Sequence, residues 1–162
     1  MKFEFKKGID TKKLPNFLDK IYEEELRGNK DISKTPWKYL NDDNVDFFHY
    51  ENDKREIVGV MVVIRSEFSN HFSFLYILKE YRKYFLGAKC FKYYFENYKD
   101  KNKIFTCHLI KSLKKNIENF KKHYFFKVYE PSHKDKEVIN WRNKCMKNDK
   151  NFYENKYLLW RR

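Results

Sequence analysis

The feature that most constrains the fold is a change of hydrophobic period near residue 80. Phe72-Ser73-Phe74-Leu75-Tyr76-Ile77-Leu78-Lys79 is dense in aromatic and branched side chains and reads as a strand. Glu80-Tyr81-Arg82-Lys83-Tyr84-Phe85 follows as a basic turn. From there Leu86, Cys90, Phe91, Tyr94, Phe95 and Tyr98 recur at helical spacing, with Lys89, Lys92, Glu96 and Lys99 on the other side. A strand feeding an amphipathic helix requires a sheet for that helix to cover, so the chain must fold as packed α/β layers. The junction also holds Gly87 and Ala88, in a chain with four glycines and a single alanine. Small side chains there favour close approach to the helix start, where the first amides have no internal partner and carry partial positive charge.

The rest of the chain supplies the sheet. Phe3 and Phe5 alternate with charged residues as in a half-buried strand, and Leu14, Phe17, Leu18, Ile21 and Tyr22 mark a helix that Gly28 is placed to end. A short helix or turn is expected near Thr35 to Leu40. Residues 46–51 and 56–65 form a hairpin around Asn52 to Arg55, and 66–71 is a loop leading to the strand at 72–79. Ile104 to Leu109 is a strand, Leu113, Ile117, Phe120 and Tyr124 mark a helix with Ser112 as its N-cap, and 125–130 is another strand. Residues 131–150 read as a polar helical insertion before a last strand at 153–160. The order predicts one domain over residues 1–162, with a mixed α/β sheet flanked by helices.

The formal net charge of +13 raises the possibility of a polyanionic partner. Lysine supplies 29 of the 36 basic residues, however, and arginine is the residue suited to bidentate phosphate recognition. Distribution says more than the total: residues 1–50 balance ten basic against ten acidic groups, whereas residues 79–127 carry fourteen against four. Cys90, Cys107 and Cys145 fit neither a paired disulfide framework nor a zinc spacing, and His49, His108, His123 and His133 fall on separate elements, so no metal is expected. The longest apolar run, Ile57 to Ile64, is too short to cross a bilayer and the N-terminus lacks a signal region. The expectation is a cytoplasmic monomer or homodimer.

Glu80 to Ala88, with its flanking strand and helix, resembles the acetyl-CoA signature of the GCN5-related N-acetyltransferase (GNAT) superfamily, in which Gln or Arg is followed by two residues, Gly, one residue, then Gly or Ala. Arg82 and Gly87 match. The resemblance implies a central, mostly antiparallel sheet and an acetyl-CoA site. The amides of Lys83, Tyr84, Phe85, Leu86, Gly87 and Ala88 would hold the pyrophosphate, the strand Tyr76-Ile77-Leu78 would pair with the pantetheine arm, and Ser112 completes the cofactor-binding set. Phe85 departs from the pattern, standing where the family's first glycine usually stands. Asn119 to Phe125 is similar to the family's closing segment, but Phe120 replaces the tyrosine that often protonates the thiolate, Tyr124 replaces a glycine and Leu113 a frequent asparagine.

Acetyl transfer needs an aligned amine, a base, oxyanion stabilisation and a proton for sulfur. Glu67, His71 and Tyr76 are the candidate bases near the third sheet strand, and Tyr124 the candidate proton donor. Each has a plain structural alternative: solvated loop carboxylate, loop histidine, core aromatic and helix packing. Lys114, Lys115, Lys121 and Lys122 form a basic helical face, suited to solvation, to a 3′-phosphate or to a polyanion. The acceptor stays open among small molecules, proteins and tRNA. Two other function classes remain beside the enzyme: a catalytically degenerate binding or structural protein of the same fold, such as a phage or mobile-element component, and a nucleic-acid-binding protein.

Overall fold

The computed structural model describes residues 1–25 and 37–162. Among these, β1 (Glu4–Lys7), β2 (Val45–Glu51), β3 (Ile57–Arg65), β4 (Ser69–Ile77), β5 (Ile104–Ile110), β6 (Lys127–Val128) and β7 (Lys156–Arg161) form one sheet in the order β1-β2-β3-β4-β5-β7-β6. The helices are α1 (Leu14–Glu24), α2 (Leu86–Asn97), α3 (Lys114–Tyr124) and α4 (Lys136–Asn148). Pairing of β4 with β5 is parallel, from Ser69↔Ile104 to Phe72↔Cys107, and α2 is the crossover that a parallel step requires. The pairs β1–β2, β2–β3, β5–β7 and β6–β7 are antiparallel. This is the mixed, mostly antiparallel sheet with helices that the sequence predicts.

The chain divides into two compact units, residues 1–64 with 73–97 and residues 65–72 with 98–162, so β4 contributes to both. In the first unit β3 is apolar on both faces because both are covered, and its residues 57–63 are buried. Leu14, Phe17 and Ile21 are the buried stripe of α1, and Leu86, Cys90, Phe91 and Tyr94 that of α2. Gly59 sits close under β4: a Cβ there would meet the Ile77 Cδ1 methyl, which would have to turn aside, with the Tyr76 carbonyl at 3.5 Å. In the second unit Val138 and Trp141 of α4 pack with Ile104, Leu158 and Trp160. Asp135 caps α4 by accepting from the amides of Glu137 and Val138, and pairs with Arg162 at 2.7 Å.

Several boundaries differ from the sequence reading. The expected loop 66–71 ends early, because Ser69, Asn70 and His71 are drawn into β4 by pairing with Ile104, Phe105 and Thr106. Ser112 is not the N-cap of α3; Leu113 holds that position, with no side-chain cap bond. The strand expected over 125–130 shrinks to two residues, because Phe125 adopts a left-handed conformation (φ 59°) that closes α3. The last strand begins at Lys156 rather than Tyr153, after a run of turns. Gly28, Thr35 and Pro36 lie outside the described residues, and a 3₁₀ turn occupies Trp37–Tyr39.

Candidate functional site

In the first unit the segment after β4 is a 3₁₀ helix, Lys79–Tyr84, that ends at Phe85 in the left-handed region (φ 58°). The reversal starts α2 at Leu86. Phe85 donates its amide to Arg82 O at 3.1 Å, and Lys89 is the first α2 amide to donate back, to Phe85 O at 3.1 Å. The amides of Leu86, Gly87 and Ala88 therefore precede the helical ladder and face outward along the positive end of the helix. This narrows the expected set: Lys83 and Tyr84 lie inside the 3₁₀ turn, where amides are used in i to i−3 bonds.

Gly87 is not the residue that makes the turn. It lies in the first turn of α2, and a Cβ there would touch Leu75 Cδ2 at 3.6 Å and Ile77 Cγ1 at 3.9 Å, which is ordinary contact. Phe85 carries the demanding geometry instead, in a backbone region that favours glycine, with its ring 72% exposed to solvent. The benzyl group thus stands in water rather than filling the core.

Arg82 folds back on β4: its Nε donates to Ile77 O at 2.9 Å and its guanidinium lies 5.2 Å from the centre of the Tyr76 ring. The Tyr76 hydroxyl lies 2.5 Å from Glu25 Oε1 and 3.0 Å from Glu24 Oε2, its one proton shared between the two carboxylates. Burial, then the two carboxylates, push the Tyr76 hydroxyl well above its usual range, so it holds its proton firmly. Glu24 also accepts from the Lys79 amide at 3.0 Å, tying the end of α1 to the start of the turn. Leu78 does not offer a free edge to a pantetheine arm, because its amide donates to Val58 O and its carbonyl accepts from Tyr81, both at 2.9 Å.

In the second unit Glu67 is exposed in the β3–β4 loop and lines a cavity of about 480 Å³ with Phe68, Asn140, Asn143, Lys144 and Lys147. His71 is buried on β4, with Nδ1 at 2.8 Å from Thr106 Oγ1, which also meets Ser69 Oγ. Its ring lies 4.6 Å from that of His108 and 5.1 Å from that of Trp141. Burial first, then His108, hold His71 well below the usual imidazole value, and burial with Lys156 brings His108 down to about 4. Both rings are neutral near pH 7. His108 Nε2 meets the Tyr153 hydroxyl at 3.1 Å, and Tyr153 and Cys145 pack against the same cluster around Trp141.

This His71–His108–Tyr153 group escaped the sequence reading, which treated the histidines as scattered. The signal was present in the two-residue alternation Ser69/His71 and Thr106/His108, which places all four on one sheet face once β4 and β5 are paired. Tyr124 ends α3, its ring edge-on to Phe120 at 5.4 Å and its carbonyl accepting from Arg161 Nη1 at 2.8 Å. Ser112 is exposed in the turn before α3.

No protein-family model and no curated protein sequence matches the chain. Solved structures do. The chain is similar to the GNAT-family acetyltransferase from Staphylococcus aureus, at 15% identity over 99% of this chain and 98% of that one, with a TM-score of 0.64. It is similar to the N-acetyltransferase PseH from Campylobacter jejuni, at 19% identity over 99% and 97%, with a TM-score of 0.55. The chain has the GNAT fold. A third structure with this fold, the spermidine N-acetyltransferase from Vibrio cholerae in complex with CoA and spermine, is 12% identical over 79% and 82% of the two chains, with a TM-score of 0.55. PseH has also been solved in complex with acetyl coenzyme A. In this chain the GNAT fold thus comes with a turn whose leading amides lie outside the α2 ladder.

Proposed function

We propose that the chain is an acetyl-CoA-dependent N-acetyltransferase whose cofactor pyrophosphate is held by the amides of Leu86, Gly87 and Ala88, with Arg82 and Lys83 supplying positive charge beside them. The observation that carries this reading is the left-handed break at Phe85, which leaves those three amides outside the helical ladder. Acetyl-CoA supplies the activated acyl group. Support comes from neighbours of the same fold solved with acetyl-CoA or CoA. Glu67 and His71 are the proposed proton acceptors and Tyr124 the proposed donor. Tyr76, whose one hydroxyl proton is already engaged by the Glu24 and Glu25 carboxylates, is assigned to holding Arg82 and the end of β4.

Calorimetry tests this directly. Acetyl-CoA and CoA are expected to bind, and Gly87→Trp to abolish binding by pushing the start of α2 away from Leu75 and Ile77 and so displacing the three amides. No heat at millimolar cofactor would contradict the proposal. Acetylation is then measured as CoA thiol release with a set of amines that includes spermidine and spermine, the latter present in the Vibrio cholerae complex. A second reading, cofactor binding without turnover, is favoured by two features: Phe120 has no proton to give, and Tyr76 holds its own firmly. Binding without thiol release from any amine would select it. Loss of turnover in Glu67→Gln or His71→Gln, with cofactor binding retained, would select the enzyme.

A further inference from the structure

The outward face of α3 carries Lys114, Lys115, Lys121 and Lys122, all exposed. Lys114 and Lys121 are seven residues apart, as are Lys115 and Lys122, so the four form two aligned rows about 10.5 Å long on one side of the helix. Lys111 and Lys127 flank the element, with ammonium groups 5.0 Å and 5.2 Å from the ring centres of Tyr157 and Trp160. Among the described residues, Lys121 alone of these six has a carboxylate within ion-pair reach, Glu118 at 3.3 Å. Lys114 and Lys115 stand in the first turn of α3, where positive charge opposes the helix dipole and weakens the helix. Helix stability does not account for them.

At the other end of α3, Phe125 is held at φ 59° with its ring 71% exposed. A large apolar ring in that conformation costs the fold about 1 kcal/mol and packs little in return. Three residues beyond Lys122 and four beyond Lys121, Phe125 exposes an aromatic ring to solvent at the end of the same helix. The apolar side of α3 is already used: Ile117 is buried, Phe120 rests on Phe126 at 5.5 Å, and Phe126 meets Phe72 at 6.4 Å. The helix therefore has no apolar side to lay into a bilayer, and its free side presents charge with one aromatic ring.

We propose that this face binds single-stranded nucleic acid, the lysine rows neutralising successive phosphates and Phe125 stacking on a base. The surface is tested without cofactor. Fluorescence anisotropy of the full chain with a labelled 20-nucleotide single strand, its duplex form and anionic vesicles, across 50 to 300 mM salt, reads the interaction. The quadruple variant K114Q/K115Q/K121Q/K122Q is compared with a charge-matched control, K2Q/K12Q/K54Q/K150Q, with thermal melts of both confirming the fold. The α3 variant is expected to flatten the plot of log affinity against log salt by about 3, and the control by less than about 1. Phe125→Ala is expected to weaken single-strand binding about tenfold and to leave duplex binding within about twofold. Equal losses in the two quadruple variants, a Phe125→Ala protein that binds the single strand like the parent, or vesicle binding tighter than oligonucleotide binding would each overturn the proposal.

Discussion

The two units bury polar groups in opposite ways. The first gathers charge: Glu51, 2% exposed, accepts from Lys13 at 2.7 Å and Lys6 at 2.9 Å and lies 3.1 Å from His49 Nε2, and Asp46 accepts from Tyr94. Burial alone would raise the Glu51 carboxyl, but these donors outweigh it and bring it down to about 2. The second gathers neutral donors and acceptors, Ser69, Thr106, His71, His108 and Tyr153, and among the described residues no carboxylate bonds either imidazole. Its histidines are pushed toward the uncharged form for that reason. Among the described residues the buried carboxylates Glu51 and Asp46 each meet an ammonium group, so the units should fail at different pH.

The largest effect belongs to the histidine pair. His108 titrates near 4 in the fold and near 6.5 unfolded, so its contribution is complete above pH 6.5 and is lost as pH falls toward 4, on the order of 3 kcal/mol. His71 acts in the same direction. Urea melts of the parent should weaken across that window, and His108→Gln should flatten the profile; an unchanged profile would remove the contrast between the units. The Glu51 network behaves differently, with its contribution complete above pH 4.5 and lost only as pH falls through about 2. At neutral pH Glu51→Gln should cost about 2 kcal/mol by taking the anion from two ammonium groups and an imidazole. A cost below about 0.5 kcal/mol would show that solvent already screens the network.

Phe85 and Phe125 sharpen the comparison at smaller scale. Both are left-handed and more than 70% exposed, but one opens a helix and the other closes one. The carbonyls ending α3 are met by Arg161 and by the Phe126 amide, whereas the amides opening α2 are the ones proposed for phosphate. Phe85→Gly and Phe125→Gly should each stabilise by about 1 kcal/mol, a rise of about 2–4 °C in Tm. Phe85→Gly should leave acetyl-CoA binding intact or tighter, and a tenfold loss would mean that the ring itself contacts the cofactor.

The strand, turn and helix around residue 80 were legible because each has its own hydrophobic period and the basic turn has a recognisable signature. Gly87 and Ala88 mark the junction in the sequence, but the left-handed φ that makes the turn belongs to Phe85, and no local pattern announces a left-handed phenylalanine. Ser69 to His71 looked like loop because Ser, Asn and His are poor strand formers; the parallel partner β5 overrides that preference. The His71–His108 pair depends on a contact across 37 positions of sequence, which periodicity within one element cannot supply.

The central claim is that the first amides of α2 hold the cofactor's phosphates. Amide-resolved ¹⁵N spectra recorded while CoA is added test it most directly, with pantetheine, which lacks the pyrophosphate, as the comparison. The Leu86, Gly87 and Ala88 amides should move saturably with CoA and stay in place with pantetheine. Movement of those three with pantetheine, or no movement while CoA shifts other regions, would contradict the account.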